Sequence, residues 1–180
     1  MAGKRDLYIN GQWVAAKSKA TFPVMNPSTG EVWAQVADAA RGDAAAAISA
    51  AAAAQPAWAA LPHSERARLL SKVADVLAAR AKEFQDALVD EGGSRIGKTM
   101  FETGYSVGVY RAAAAAAYQV TGEILPSDHG KLSLVVREPL GVVSVISPWN
   151  FPLILSSRGR SEEHTSELQS HHDLVCRLLL

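Results

Sequence analysis

Helical periodicity fills the middle of the chain and gives way to short apolar runs at about Gly122. In the middle part, apolar side chains recur at helical spacing or alanine dominates. This pattern predicts three helices, over residues 42–58, 64–90 and 94–118. After them, residues 132–137 and 141–146 are typical of strands, and the second run is apolar enough to be largely buried. Helices followed by a buried strand predict an α/β arrangement.

Two turn signals organise the first forty residues. Asn10 and Gly11 separate two β-prone runs, and this dipeptide suits the positive φ angles of a tight turn, so residues 7–14 are predicted to form a hairpin. Residues 26–30, Asn-Pro-Ser-Thr-Gly, predict a turn that leads into a strand over residues 31–37. Asp43 is expected to be an acidic residue in the first turn of the first helix.

Charge and composition argue against several classes of partner. The 180-residue chain has a formal net charge of zero, whereas nucleic acids and anionic membranes select basic surfaces. It has no apolar run long enough for a membrane span, and its basic N-terminus lacks the apolar stretch of a signal peptide. Cys176 is the only cysteine, so a disulfide framework is excluded and the cytoplasm is the expected compartment.

The composition breaks at about Gly159. Residues 160–170 resemble the in-frame translation of a sequencing-library adapter, so residues 160–180 are expected to be an artefactual, disordered tail. Cys176 lies beyond this match, with no neighbouring base, and is assigned no role. No metal site is expected, although helical spacing would bring tail residues together as ligands. The tail residues of metal-binding type are His164, Glu167, His171, His172 and Asp173.

Residues 92–99 fit the phosphate-loop pattern, with Gly92, Gly97, Lys98 and Thr99 in the defining positions. A functional phosphate loop needs a buried strand before it, whereas residues 82–90 continue an amphipathic helix. The competing interpretation is a helix–helix turn, in which the glycines end one helix and the serine at position 94 caps the next.

Residues 147–152, Ser-Pro-Trp-Asn-Phe-Pro, follow directly on the predicted buried strand. Ligands of α/β proteins bind at the carboxyl ends of parallel strands. The two prolines restrict the backbone on either side of Trp149 and Asn150. The loop therefore predicts a wall for a cofactor and a carboxamide donor for an oxyanion. The alternative is structural, with Trp149 and Phe151 in the core and Asn150 as a turn residue.

Residues 137–153 closely resemble the signature of the aldehyde dehydrogenase superfamily around its oxyanion asparagine. The resemblance extends from Leu7 to about Ser157, and Pro-Trp-Asn-Phe-Pro is its most specific part. Residues 146–156 are most similar to the branch that oxidises aromatic aldehydes such as benzaldehyde and vanillin. The resemblance implies a truncated, Rossmann-like doubly wound fold with a helix-rich N-terminal part.

The resemblance also implies roles for individual residues. Asn150 matches the asparagine whose side-chain amide stabilises the oxyanion of a cysteine thiohemiacetal. The loop that lines the NAD or NADP cofactor, partly through main-chain contacts, is matched by Ile146, Ser147, Pro148, Trp149 and Asn150. In the intact protein this machinery would oxidise a small-molecule aldehyde to a carboxylic acid.

Residues 1–159 are then expected to be the N-terminal part of the cofactor-binding domain, with the strand at residues 132–138 near the oligomerisation region. The intact parent is expected to be a homodimer or homotetramer. The family's catalytic cysteine and glutamate would lie downstream of residue 159, so the chain alone is expected to be inactive. Two alternatives are a nucleotide-binding protein that uses Lys98 and a non-catalytic helical interaction module over residues 42–118.

Overall fold

The computed structural model describes residues 3–119, 122–128 and 130–161. The strands are β1 Gly3–Arg5, β2 Leu7–Ile9, β3 Gln12–Val14, β4 Thr21–Met25, β5 Val32–Ala37, β6 Glu123–Leu125 and β7 Ser133–Val135. The helices are α1 Arg41–Ala59, α2 His63–Ala79, α3 Ala81–Gly92, α4 Ile96–Ala116 and α5 Pro152–Ser161. Small sheets therefore flank a helical centre.

The first hairpin is confirmed. Strands β2 and β3 pair antiparallel, and the turn residues Asn10 and Gly11 have φ angles of 52° and 77°. Both angles lie in the left-handed region that Asn and Gly tolerate best. Tyr8 and Trp13 face each other across the strands, with ring centroids 5.1 Å apart in an edge-to-face arrangement. Local turn chemistry and one aromatic pair thus hold this hairpin.

A second sheet has the strand order β1-β5-β4, with β1 parallel and β4 antiparallel to β5. The prediction of a strand at residues 31–37 is confirmed by β5, which buries Ala34, Val36 and Ala37. Strands β1 and β4 were not predicted. Pro23 argues against a strand, but β4 is an edge strand, where a missing N–H is tolerated.

The predicted turn at residues 26–30 is confirmed. Asn26 Oδ1 accepts hydrogen bonds from the backbone amides of Ser28 at 2.9 Å and Thr29 at 3.2 Å. The Asn26 side-chain amide donates to Asp90 Oδ1 at 3.3 Å, so the turn is attached to the end of α3. Gly30 completes the turn with a φ of 72°.

Helices α2, α3, α4 and α5 form the main core. The prediction of a single helix over residues 64–90 is wrong. The helix is interrupted at Arg80, whose φ of −101° and ψ of 16° are not helical, so α2 and α3 are separate. Neither Gly nor Pro marks the break, and the apolar spacing continues across it, so the pattern contains no sign of it. The buried apolar cluster comprises Ala67, Leu70, Ala74, Leu77, Phe84, Tyr110, Ala114, Ala117 and Leu153.

Helix α1 packs only loosely. The sole buried residue of this helix is Asp43. The predicted role of Asp43 is confirmed: its carboxylate accepts hydrogen bonds from the backbone amides of Ala40 at 2.9 Å and Lys17 at 3.1 Å. These two bonds hold the pKa of the Asp43 carboxyl below its ordinary value.

The segment after α4 departs most from expectation. The strand predicted at residues 132–137 is present as β7, which pairs with β6 in an exposed antiparallel hairpin. The buried strand predicted at residues 141–146 is wrong: these residues lie in no helix or strand, and residues 141–144 are exposed. A strand needs a hydrogen-bonded neighbour, and none of the described strands pairs with this run.

Candidate functional site

The phosphate-loop interpretation of residues 92–99 is wrong. Helix α3 ends at Gly92, Gly93 takes a left-handed φ of 62°, and α4 begins at Ile96. The glycines therefore end one helix before the next, as the competing interpretation predicts. The expected capping role of Ser94 is also wrong, because Arg95 occupies the cap position and no side chain caps the helix.

Lys98 instead takes part in a network inside the protein. Its Nζ donates to Ser94 Oγ at 3.0 Å and to Glu102 Oε2 at 2.9 Å. The same Nζ lies 4.5 Å from the centroid of the Phe151 ring. The Lys98 side chain is 28% exposed, and that of Glu102 is 0% exposed. The lysine that suggested phosphate binding is thus committed to an ion pair and a cation–π contact.

Glu102 connects α4 to the start of α5. Its Oε1 accepts hydrogen bonds from the backbone amides of Leu153 at 2.8 Å and Ile154 at 3.4 Å. The first amides of a helix have no partner within the helix and carry partial positive charge. Pro152, the first residue of α5, has no N–H to satisfy. The buried Glu102 carboxylate therefore accepts hydrogen bonds from the first two free amides of α5.

The C-terminal half of α5 also contacts the rest of the protein. A Cβ on Gly159 would come within 2.6 Å of Val145 Cγ1, so glycine permits the close approach of α5 and residue 145. Arg158 Nη2 donates to the Tyr105 hydroxyl at 2.9 Å and ties α5 to α4 a second time. Helix α5 ends at Ser161 and so includes the first two residues of the predicted tail, whose remainder lies outside the described residues.

The loop at residues 147–152 follows Val145, which contacts Gly159, and precedes Leu153, which bonds to Glu102. Ser147 Oγ donates to the carbonyl oxygen of Pro152 at 2.8 Å and bridges the two ends of the loop. Ile146 and Ser147 are half-buried, whereas Pro148 and Asn150 are exposed and Trp149 is 90% exposed. The expectation of a strand exit beside Asn150 is therefore wrong, and so is the alternative that places Trp149 in the core.

The five predicted site residues, 146–150, are consecutive in the chain. The structure adds two residues next to them: Glu102, which sequence reasoning missed, and Lys98, to which it gave a different role in phosphate binding. Their four-residue spacing is that of a helical ion pair, which was the one available signal. That signal gives no hint of the contact with Leu153, which is 51 residues away in the chain. The proposed roles of Asn150 and its neighbours in oxyanion and cofactor binding stay predictions.

The tail residues singled out in the sequence lie outside the described residues: His164, Glu167, His171, His172, Asp173 and Cys176. Within residues 3–119, 122–128 and 130–161, no group of three or more His, Cys, Asp or Glu residues could hold a metal ion. In the same part of the chain, no helix is long and apolar enough to cross a membrane.

Known proteins resemble this chain over most of its length. The model of the aldehyde dehydrogenase family matches residues 13–160. A vanillin dehydrogenase from Pseudomonas fluorescens is 43% identical over 153 residues, which are 84% of this chain and 32% of the relative. The crystal structure of a salicylaldehyde dehydrogenase from Pseudomonas putida G7, complexed with salicylaldehyde, matches with a TM-score of 0.85 and 34% identity, over 89% of this chain and 33% of that one.

Lactaldehyde dehydrogenase from Escherichia coli matches with a TM-score of 0.87 and 35% identity, over 91% of this chain and 34% of its own. The chain thus spans about a third of the length of these relatives. The structural matches confirm the predicted fold class, a truncated α/β aldehyde dehydrogenase fold. They favour neither a phosphate-loop protein that binds nucleotides through residues 92–99 nor a non-catalytic helical interaction module. With most of its residues matched by the family model, the chain belongs to the aldehyde dehydrogenase family.

Proposed function

We propose that the whole protein to which this chain belongs oxidises an aldehyde to a carboxylic acid with NAD or NADP as hydride acceptor. The chain supplies the N-terminal third of such an enzyme, and the relatives contain roughly twice as much additional chain. The nucleophilic cysteine and the glutamate base would come from that additional chain. Alone, the 180-residue chain is expected to produce no NADH from aldehydes.

Asn150 carries the proposal. Asn150 is exposed two residues before α5 begins, and the described residues give its side-chain amide no hydrogen-bond partner. An uncommitted amide on an anchored loop can donate to the oxygen of a reacting carbonyl. The exposure of Asn150 and Trp149 suits surfaces that the remaining two-thirds of an enzyme would cover.

The residues before Asn150 fit a role as one wall of a nicotinamide site. Trp149 offers an exposed indole, and Ile146 offers a half-buried aliphatic surface. The Ser147 hydroxyl already donates to Pro152, so Ser147 and Pro148 would contribute mainly through their backbone. The bound nicotinamide would accept the hydride from the substrate carbon. The task of this chain would be to present the loop and to hold the developing oxyanion.

An aromatic aldehyde is the proposed substrate class, because relatives that act on vanillin and salicylaldehyde are 43% and 34% identical to this chain. The match to a lactaldehyde dehydrogenase makes a short aliphatic aldehyde the alternative to be tested. We also propose a cytoplasmic homodimer or homotetramer. The exposed apolar residues of β6 and β7, among them Ile124 and Leu134, support an oligomer contact near residues 132–138.

The test begins with the genomic DNA downstream of codon 157, which should continue in frame into a glutamate base and a cysteine nucleophile. The full-length product is then assayed for aldehyde-dependent reduction of NAD and of NADP, with vanillin, benzaldehyde and lactaldehyde. Asn150→Ala should lower kcat by about 100- to 1000-fold. The control Asn10→Gly lies in the first hairpin and should leave kcat unchanged. An enzyme without activity, or one indifferent to Asn150→Ala, would refute the proposal.

A further inference from the structure

We propose that Glu102 is the positioning residue for the loop that carries Asn150, and that Lys98 holds Glu102 in place for this task. The relevance to oxyanion binding rests on the proposed function. The contacts themselves do not depend on it, because they are present in the chain: Glu102 to Leu153 and Ile154 on one side, and Lys98 to Phe151 on the other.

Burial shows how firmly Glu102 is committed. A carboxylate that is 0% exposed is costly unless cations or hydrogen-bond donors compensate for the lost water. Both oxygens are compensated here, Oε2 by the Lys98 ammonium and Oε1 by two backbone amides. Rotation of the side chain would break all three contacts at once. Glu102 therefore has one favourable orientation, which α4 sets.

The same contacts fix where α5 begins. The amides of Leu153 and Ile154 are the first two N–H groups of the helix, because Pro152 has none. Their bonds to Glu102 anchor the helix start to α4, while the Leu155 amide donates to the carbonyl oxygen of Phe151 at 3.0 Å. Asn150 is the residue just before Phe151, so the carboxamide projects from a segment whose end is fixed.

Lys98 anchors the loop from a second direction. Its ammonium lies 4.5 Å from the Phe151 ring centroid while it pairs with Glu102 at 2.9 Å. The Lys98–Glu102 pair therefore contacts the residue directly after Asn150 and also the helix start three residues on. This arrangement differs from an exposed helical ion pair, which stabilises only its own helix and only weakly.

Hydrogen exchange of the full 180-residue chain, measured by NMR, tests the anchoring without any assay of activity. In Glu102→Gln the Leu153 and Ile154 amides should exchange about 10- to 100-fold faster, because a hydrogen bond to a charged group becomes one to a neutral group. The Asn150 carboxamide signals should shift, whereas amides in the α2 core, such as that of Leu77, should keep their rates. Lys98→Met should shift the Phe151 ring signals.

The matched control is Asp86→Asn, which neutralises the acid of the exposed i,i+4 pair formed by Lys82 and Asp86 on α3. It should leave the Leu153 and Ile154 rates unchanged. Unchanged rates in Glu102→Gln would overturn the proposal. So would an equal acceleration throughout α2, because that result would mean that Glu102 only supports global stability. If Glu102→Gln does not fold, unchanged loop signals in Lys98→Met would overturn it in turn.

The full-length enzyme tests the link to the reaction. Glu102→Gln should lower kcat about 10- to 100-fold with little change in KM, because a misplaced donor affects the transition state more than substrate binding. An active enzyme with unchanged kcat in Glu102→Gln would overturn the positioning role. If the wild-type enzyme oxidises no aldehyde, the proposed function fails, while the exchange experiment still decides whether Glu102 anchors the loop.

Discussion

Pro27 lies so close to Gly93 that a Cβ on the glycine would come within 2.9 Å of Pro27 Cγ. Gly93 ends α3 with a φ of 62°, and Pro27 belongs to the turn whose Asn26 bonds to Asp90 on the same helix. The turn of the small sheet and the end of α3 therefore fit together through a position that has no side chain. Glycine is required there both by the backbone angle and by the neighbouring ring.

Gly93→Ala should lower the free energy of unfolding by about 1–2 kcal/mol, because alanine is strained at a left-handed φ and also meets the Pro27 ring. Gly104→Ala is the matched substitution. Gly104 lies in the middle of α4, and a Cβ there would meet open space, so alanine should stabilise the protein by about 0.5–1 kcal/mol. Urea denaturation measures both changes. Destabilisation by Gly104→Ala would contradict the assignment of residue 104 to an exposed position inside a helix.

Leu77→Ala should destabilise the chain by about 2–5 kcal/mol, because Leu77 is 0% exposed at the centre of the helical core. The neighbouring Val76 is 43% exposed, so Val76→Ala should change stability by no more than about 0.5 kcal/mol. Urea denaturation measures both changes in the free energy of unfolding, provided that the dependence on urea concentration is the same in wild type and variants. Equal effects at the two positions would mean that the core does not lie on this face of α2.

Asp43 should make the stability depend on pH in the acid range. Its pKa is lowered in the folded chain by the amide hydrogen bonds of Ala40 and Lys17, so its contribution is present above the unfolded value of about 3.9. The contribution is lost as the pH falls through the lowered pKa. Asp43→Asn should therefore reduce the Tm at about pH 6 and change it less at about pH 2.5.

Circular dichroism melting curves measure this difference in Tm. The exposed Asp75 of α2 provides the control, because Asp75→Asn removes an equal charge and leaves the α1 hydrogen bonds intact. A difference between wild type and Asp43→Asn that is equal at both pH values would show that the charge of Asp43 plays no part.

Ser157→Ala should leave stability unchanged or raise it by up to about 1 kcal/mol. Ser157 is 0% exposed in α5, and its Oγ has no hydrogen-bond partner in the described part of the chain. Alanine removes this unsatisfied group and is the better helix former. Ser147→Ala should instead cost about 0.5–1.5 kcal/mol, because its hydroxyl donates to Pro152. Thermal melting of both variants compares them, and a large loss in Ser157→Ala would reveal a partner for the hydroxyl.

Features that depend on neighbouring residues could be predicted from the sequence. Asn10 and Gly11 specify their turn by the φ angles they tolerate, and Asn26 specifies its turn through its own side-chain oxygen. Gly92 and Gly93 mark the end of α3, and the amphipathic pattern of residues 82–90 favours a helix–helix turn over a phosphate loop. Each of these signals acts within a few residues, where the physical cause is visible in the pattern.

Features that depend on distant segments could not be predicted. Strand β1 forms because β5 lies beside it and pairs with it. Residues 141–146 form no strand because none of the described strands lies beside them. The break at Arg80 has no local marker. At the site, the loop at residues 147–152 was predicted from its composition. The carboxylate that anchors it was missed, since Glu102 and Leu153 meet across 51 residues.

The loose packing of α1 has a consequence for how the chain opens. A helix with a single buried residue gains little from burial, so its persistence relies on the small entropy loss of alanine and on the start set by Asp43. Its backbone amides should lose protection well before those of α2 and α4 as denaturant rises, in a separate sub-global step. The high helix propensity of the alanine runs therefore allows α1 to form with very little tertiary packing.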